Sequence, residues 1–235
     1  MTNSRPSLTR RQLSDQAASH LRALVMSGSL TPGEGVRPEI VGAKLGMSTT
    51  PAREALLQLR AEGFLELSPG KGFTVAPLTG NDVRDLFTVQ ALIAGELAAR
   101  AARGADENSV RELEEIHREL ERAAHAGDTE ALEQLNHDFH RHVNRLAGSR
   151  KVLWALGLLT RYVPREFYGS IAGWPEATMD GHGRVLDSIR AGEPEAARAA
   201  MSAHIIHSGE LLASHFDRVR NQANATQEPD ERAER

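Results

Sequence analysis

Apolar residues recur at helical spacing in LSDQAASHLRALVMSG, where Leu13, Ala17, Leu21 and Leu24 share a face and Gly28 follows as a stop. The next segment, LTPGEG, reads as a turn from its proline and glycines. RPEIVGAKLG predicts a short second helix with Ile40, Val41 and Leu45 inward and Gly46 at its end. GMSTTPAREALLQLRAEGF predicts a third: Ser48 is the N-cap, Pro51 sits in the first turn, and Ala55, Leu56, Leu59 and Phe64 supply the buried face. After Gly63 the period shortens. FLELSPGKGFTVAP alternates apolar and polar residues on both sides of SPGKG, which predicts a small hairpin with a glycine-rich tip. Three helices followed by a hairpin make a winged helix-turn-helix.

From Thr79 the pattern is helical almost to the end, in six segments: 81–103, 107–126, 129–147, 151–168, 175–191 and 194–219. The separators GADENS, AGD, AGS, GSIAGW and AGEP hold turn and cap residues. No strand pattern interrupts them, so an antiparallel helical bundle is expected. NQANATQEPDERAER lacks apolar periodicity and reads as a disordered tail. The fold expected is mainly α: residues 1–78 as a winged helix-turn-helix, 79–219 as an all-helical bundle, and 220–235 as the tail.

Composition narrows the functions open to such a chain. Its 235 residues suffice for two domains, each with a core, and the absence of cysteine removes disulfide and thiolate chemistry. No apolar run approaches bilayer length and no signal-peptide core follows the start, so the expectation is a cytoplasmic protein with no membrane partner. The charge is uneven. Residues 1–76 carry nine Lys and Arg against six Asp and Glu, and the rest nineteen against twenty-six, so a head of +3 precedes a body of −7. A basic head on an acidic body points to a polyanion partner for the head alone.

The third helix shows how such a partner could be read. A helix that opens with STTPAR presents hydroxyls, free backbone N–H groups and one cation at its start, the groups that reach base edges and phosphates when a helix enters the major groove N-terminus first. Arg53 can grip guanine or a phosphate with two donors. Ser48, Thr49 and Thr50 offer hydroxyls to the same surface. Lys71 at the hairpin tip is placed for a phosphate or the minor groove, with Gly70 and Gly72 allowing close approach. Arg37, at the start of the second helix, suits a phosphate better than a base, with plain surface solvation as its alternative.

Residues 13–76 closely resemble the N-terminal domain of GntR-family transcription regulators, through SGSLTPGE, LGMSTTPAREAL, LRAEGFLEL and GKGFTVAP. The following region resembles the helical ligand-binding (FCD) domain of the FadR subfamily. The resemblance implies a homodimer that binds a pseudo-palindromic operator in double-stranded DNA. It also implies a small effector, often a carboxylate, that binds the helical domain and alters operator binding. By position it implies DNA contacts at Thr50 and Arg53. Thr49 stands where relatives commonly carry arginine, so their operator sequences do not transfer.

Ten histidines are present. Asn136 and His140 lie four apart on one helix face, whereas Asp138 points elsewhere. His182 and His204 fall in the last two bundle helices among apolar neighbours. The resemblance matches Asn136, His140, His182 and His204 to the metal-ligand positions of FCD domains, the first of which is typically aspartate. Three imidazoles with an oxygen ligand suit a divalent ion such as zinc or nickel. Asparagine at the first position leaves the centre more positive, which weakens metal retention or strengthens recruitment of a carboxylate. His117, His125, His137, His142 and His207 match no ligand position and are expected on the surface or behind the ligands. Gln90 and Ala94 stand where many relatives have arginine and glutamate; Gln90 is therefore a candidate effector contact of altered chemistry. Arg161 and Arg165, four apart, are candidates to supply the missing cation, with a solvated face as their alternative.

The expectation is a dimeric transcription regulator, a repressor, and not an enzyme. A metal-dependent hydrolase is the alternative, since an open three-histidine centre activates water, and a dimerisation scaffold without effector is a third reading.

Overall fold

Thr9 and Gln12 start the first helix by capping each other: the Thr9 hydroxyl accepts from the Gln12 amide, and the Gln12 side-chain oxygen accepts from the Thr9 amide at 2.8 Å. In the computed structural model, which describes residues 9–163, 168–169 and 171–233, this helix is α1 (Arg10–Met26). It buries Ala17, Ala18, Leu21, Val25 and Met26. The helices α2 (Pro38–Leu45) and α3 (Thr49–Ala61) follow, and α1 packs along α3. A buried ion pair ties those two helices together, with Arg22 Nη2 2.7 Å from a Glu62 carboxylate oxygen. The hairpin is β2 (Leu65–Ser68) and β3 (Gly72–Val75), antiparallel with Ser68 opposite Gly72. Both Gly70 (φ 77°) and Gly72 (φ 79°) adopt left-handed backbone at its tip, which explains the glycines there.

Two features of this unit depart from the sequence expectation. A third strand, β1 (Gly35–Val36), pairs with the far edge of β3, giving the order β1-β3-β2. Two residues are too few to show alternation, and the strand exists only because β3 offers an edge. Ile40, expected inward, is 50% exposed, while Gly42 takes an inward position instead; an eight-residue helix buries a narrow stripe, and Val41 and Gly42 occupy it.

The second unit runs from Thr79 to Arg218. It contains α4 (Gly80–Gly104), α5 (Glu107–Ala126), α6 (Thr129–Leu146), α7 (Arg150–Leu159), α8 (Trp174–Arg190) and α9, which begins at Pro194. Asp106 and Asp128 cap α5 and α6 with their carboxylates, and Gly127 ends α5. The core draws on five helices: Ala94, Ala98 and Ala101 of α4, Leu113 of α5, Phe139 and Val143 of α6, Val185 and Ile189 of α8, and Met201 of α9. Alanines on α4 keep that helix close to its neighbours, and at 2.9 Å and 2.7 Å the Arg84 guanidinium forks onto Glu210 of α9.

Helix boundaries differ from expectation in two places. The segment expected as one helix over 151–168 ends at Leu159, because Thr160, Tyr162 and Val163 are weak helix formers and Pro164 disfavours helix before it. Helix α9 is assigned as far as Ala233, into the 220–235 segment that the sequence reading set apart as a tail and that contains Pro229. Among the described residues no helix is long and apolar enough to cross a membrane.

Candidate functional site: nucleic-acid interface and metal centre

In the first unit the start of α3 is open to solvent. Ser48 takes the N-cap position in extended backbone, yet its side chain makes no capping bond, which leaves the hydroxyl free. Ser48, Thr49, Thr50 and Arg53 are all exposed, while Pro51, Ala52, Ala55 and Leu56 face inward. The four-residue repeat of inward positions is what turns Thr49, Thr50 and Arg53 outward together. Arg37, at the N-cap of α2, and Gly70, Lys71 and Gly72 at the hairpin tip are likewise exposed. The ion pairs among the described residues of this unit are Arg22–Glu62 and Arg10–Glu54, leaving Arg37, Arg53 and Lys71 without one. In the helical unit, by contrast, arginines such as Arg84, Arg190 and Arg198 are taken up by carboxylates. Unneutralised cations at the start of α2, on α3 and at the hairpin tip, beside the free hydroxyls and helix N–H groups of α3, suit a phosphate backbone and base edges.

In the helical unit α6, α8 and α9 bring His140, His182 and His204 together, with one ligand nitrogen from each lying within 4.8 Å of the others. His140 Nε2 is 3.3 Å from His182 Nε2 and 3.3 Å from His204 Nε2. Two neutral imidazoles meeting nitrogen to nitrogen repel unless a proton or cation lies between them, and His140 can share one proton with only one neighbour. The spacing fits a common ion: ligands about 2.1 Å from it stand roughly 3.0 Å apart at octahedral angles and roughly 3.4 Å apart at tetrahedral ones. Burial holds the three rings neutral. It pushes His140 down to about 4, with the neighbouring His137 adding to the effect, and His204 down to about 3, with His140 and His207 adding. Burial likewise carries His182 well below its ordinary value, with His204, His140 and His117 adding. Neutral imidazole is the form that ligates a metal.

Two residues the sequence reading did not single out shape this centre. The Phe139 ring stacks on His182 at 3.8 Å between centroids and 8° between planes. A Cβ on Gly181 would stand 2.3 Å from His204 Nδ1, so only glycine leaves room for that ring. The GHG triplet was the available signal for Gly181; nothing in the sequence marked Phe139 apart from the rest of the core.

Asn136 is half-buried one turn before His140 on α6. Asp138 is engaged by Arg141 at 2.9 Å and Gln134 at 3.1 Å. His125 and His207 are exposed, whereas His117 and His142 are buried, His117 with its ring centroid 6.5 Å from that of His182. Gln90 is buried on α4 in the stripe that includes Phe87 and Ala94. Arg161, just past the end of α7, is exposed, and Arg165 lies outside the described residues.

A winged helix-turn-helix with an exposed third helix, followed in the chain by a helical unit that holds a histidine triad, is the architecture of a DNA-binding regulator. Residues 13–75 match the model of the bacterial regulatory proteins, gntR family, and residues 85–207 match that of the FCD domain. The chain belongs to the GntR family of DNA-binding transcriptional regulators, in the FadR subfamily that carries the FCD domain. It is 28% identical over 199 residues to a protein of Paenarthrobacter nicotinovorans named "Probable D-xylose utilization operon transcriptional repressor", covering 84% of this chain and 88% of that one. It is 26% identical over 204 residues to the uncharacterized HTH-type transcriptional regulator YdhC of Bacillus subtilis, covering 84% and 89%. Among solved structures, E. coli McbR superposes with a TM-score of 0.65 at 22% identity, covering 89% of this chain and all of that one, a likeness of fold.

Proposed function

We propose that this regulator is a homodimeric repressor whose hold on a pseudo-palindromic operator is set by a small carboxylate bound at a divalent metal, zinc or nickel, in the helical unit. The convergence of three neutral imidazole nitrogens, on the half-buried His140 and the buried His182 and His204, carries this reading. His140, His182 and His204 would hold the ion, with the Asn136 amide oxygen as fourth ligand. A divalent ion there supplies a concentrated positive charge and open positions that a carboxylate can fill. Gln90, Arg161 and Arg165 are assigned to the effector's remaining groups. On the DNA side Thr49, Thr50 and Arg53 read base edges, while Arg37, Ser48 and Lys71 hold phosphates, Gly70 and Gly72 letting the hairpin tip come close.

Repression is consistent with the name borne by the Paenarthrobacter relative. A second copy is supported by unburied apolar side chains on two helices that pack together: Val89 and Leu92 of α4, and Leu153, Trp154 and Leu158 of α7. The effector can change operator affinity only by favouring one arrangement of the two heads over another.

Selection of sites from a random duplex library, with and without a chelator and with metal content measured on the purified protein, tests the reading. An enriched palindrome whose recovery changes on chelation is the expected result. Enrichment indifferent to chelation, in a protein that retains no divalent metal, would remove the metal from the account. Turnover of a small acid by the metal-loaded protein would favour the hydrolytic alternative.

A further inference from the structure

The sequence reading left Arg10 unassigned, and the structure places it at the nucleic-acid face. Arg10 lines a cleft of about 320 Å³ together with Thr49, Thr50, Arg53 and Leu57 of α3 and Pro38 of α2. Two carboxylates line the same cleft, Glu39 and Glu54, and Arg10 Nη2 is bonded to Glu54. That single bond leaves the donors on Nε and Nη1 available.

The two ion pairs that bridge α1 and α3 differ in kind. Arg22–Glu62 is buried, so breaking it would strand a charge in the core. The Arg10 side chain is 66% exposed, and an exposed pair of this sort contributes little to folding. The location of Arg10 is also unfavourable for α1 itself. The Thr9–Gln12 capping box fixes Arg10 as the first helical residue, where the helix dipole disfavours a cation, and the first turn of α1 holds no acidic residue to offset it. Arg10 is thus a cation that folding does not need, set beside α3 where a ligand outside the chain can reach it.

We propose that Arg10 is a phosphate contact of the DNA interface, on the flank of the recognition helix, and that Glu54 is its positioning partner, holding the guanidinium over the cleft while its remaining donors face the backbone. This rests on the reading of the α3 surface as the DNA-binding face. An alternative role for Arg10 is only to cancel the charge of Glu54, and the two roles predict different double-variant behaviour.

The test uses the full chain and a duplex enriched by the wild-type protein, with affinity measured across a salt series and melting temperature recorded for each variant. Arg10→Ala is expected to weaken binding roughly tenfold and make the slope of log affinity against log salt shallower by about 0.9, the loss of one phosphate contact. Arg10→Ala/Glu54→Gln is expected to keep the shallower slope and stay weak, with melting temperatures close to wild type throughout. Recovery of wild-type binding in the double variant would overturn the proposal in favour of charge cancellation. An unchanged slope for Arg10→Ala, while Arg53→Ala binds weakly, would overturn it and leave the α3 reading intact. Wild-type binding by both Arg10→Ala and Arg53→Ala would overturn both.

Discussion

Arg53 is the side chain on which specific recognition should depend most. It is the exposed cation in the first turns of α3, and no carboxylate in the described residues claims it. If it reads a base with two donors, Arg53→Ala should weaken operator binding by about 1–3 kcal/mol while leaving binding to unrelated duplex much less affected. Parallel titrations on the two duplexes measure this, and an equal loss on both would reassign Arg53 to a phosphate. The histidines make a second prediction at this scale. An unfolded histidine titrates near 6.5, whereas burial lowers His140 to about 4 and His204 to about 3. Between those values the unfolded chain binds more protons than the folded one. The stability these groups contribute is therefore complete above about pH 6.5 and is lost as pH falls toward about 3, by up to ~1.4 kcal/mol per pH unit for each histidine. Urea unfolding of metal-free protein over that range should show the decline, and His204→Gln should reduce its slope. Protons also compete with any bound cation for the same nitrogens, so metal affinity should fall over the same range.

At the scale of elements, the centre depends on how closely α8 and α9 approach. His204 fits because Gly181 has no side chain: an added Cβ would lie 2.3 Å from the ring, far inside van der Waals contact. Gly181→Ala should push the imidazole away from His140 and His182 and lower metal affinity by roughly 10- to 100-fold, the range found when supports of metal ligands are disturbed. Competition with a chromogenic chelator measures this, and an undiminished affinity would show that His204 is not a ligand. Much at this scale was legible in the sequence. Helical spacing and the turn and cap residues between segments located α5, α6 and α8 to within a residue or two, because a cap and an apolar stripe are local properties. The length of α7, the two-residue β1 and the exposure of Ile40 were not legible, since each depends on which neighbour an element finds.

At the scale of the whole molecule, the unburied apolar side chains of α4 and α7 set the prediction. Leu92 is 69% exposed and Trp154 is 64% exposed, on two helices that pack side by side. If the proposed dimer forms through this face, placing a charge there, as Leu92→Glu or Trp154→Glu, should yield monomer in sedimentation experiments with little change in the melting of each unit. Affinity for a palindromic duplex should then fall by roughly 10²-fold or more, because two linked heads bind far more tightly than one, while affinity for an isolated half-site should be retained. A monomeric wild-type protein, or variants that remain dimeric, would remove this face from the account of assembly.

The chain by itself determined what is local or periodic: a helical head with a glycine-tipped hairpin, a helical body, and the serine, threonines and arginine that open α3. It also singled out His140, His182 and His204, though by resemblance to a family and not by spacing, since 42 residues separate the first from the second and 64 from the third. Tertiary structure alone decided that His140 Nε2 lies 3.3 Å from the Nε2 atoms of both His182 and His204, that Phe139 lies against His182, and that Gly181 makes way for His204. It alone also brought Arg10, thirty-nine residues ahead of Thr49, into the cleft at the recognition helix. The physical reason is the same in each case. Helix periodicity is written every three or four residues and can be read from one segment, whereas a contact between helices depends on how several apolar stripes pack against one another, and no single segment contains that information.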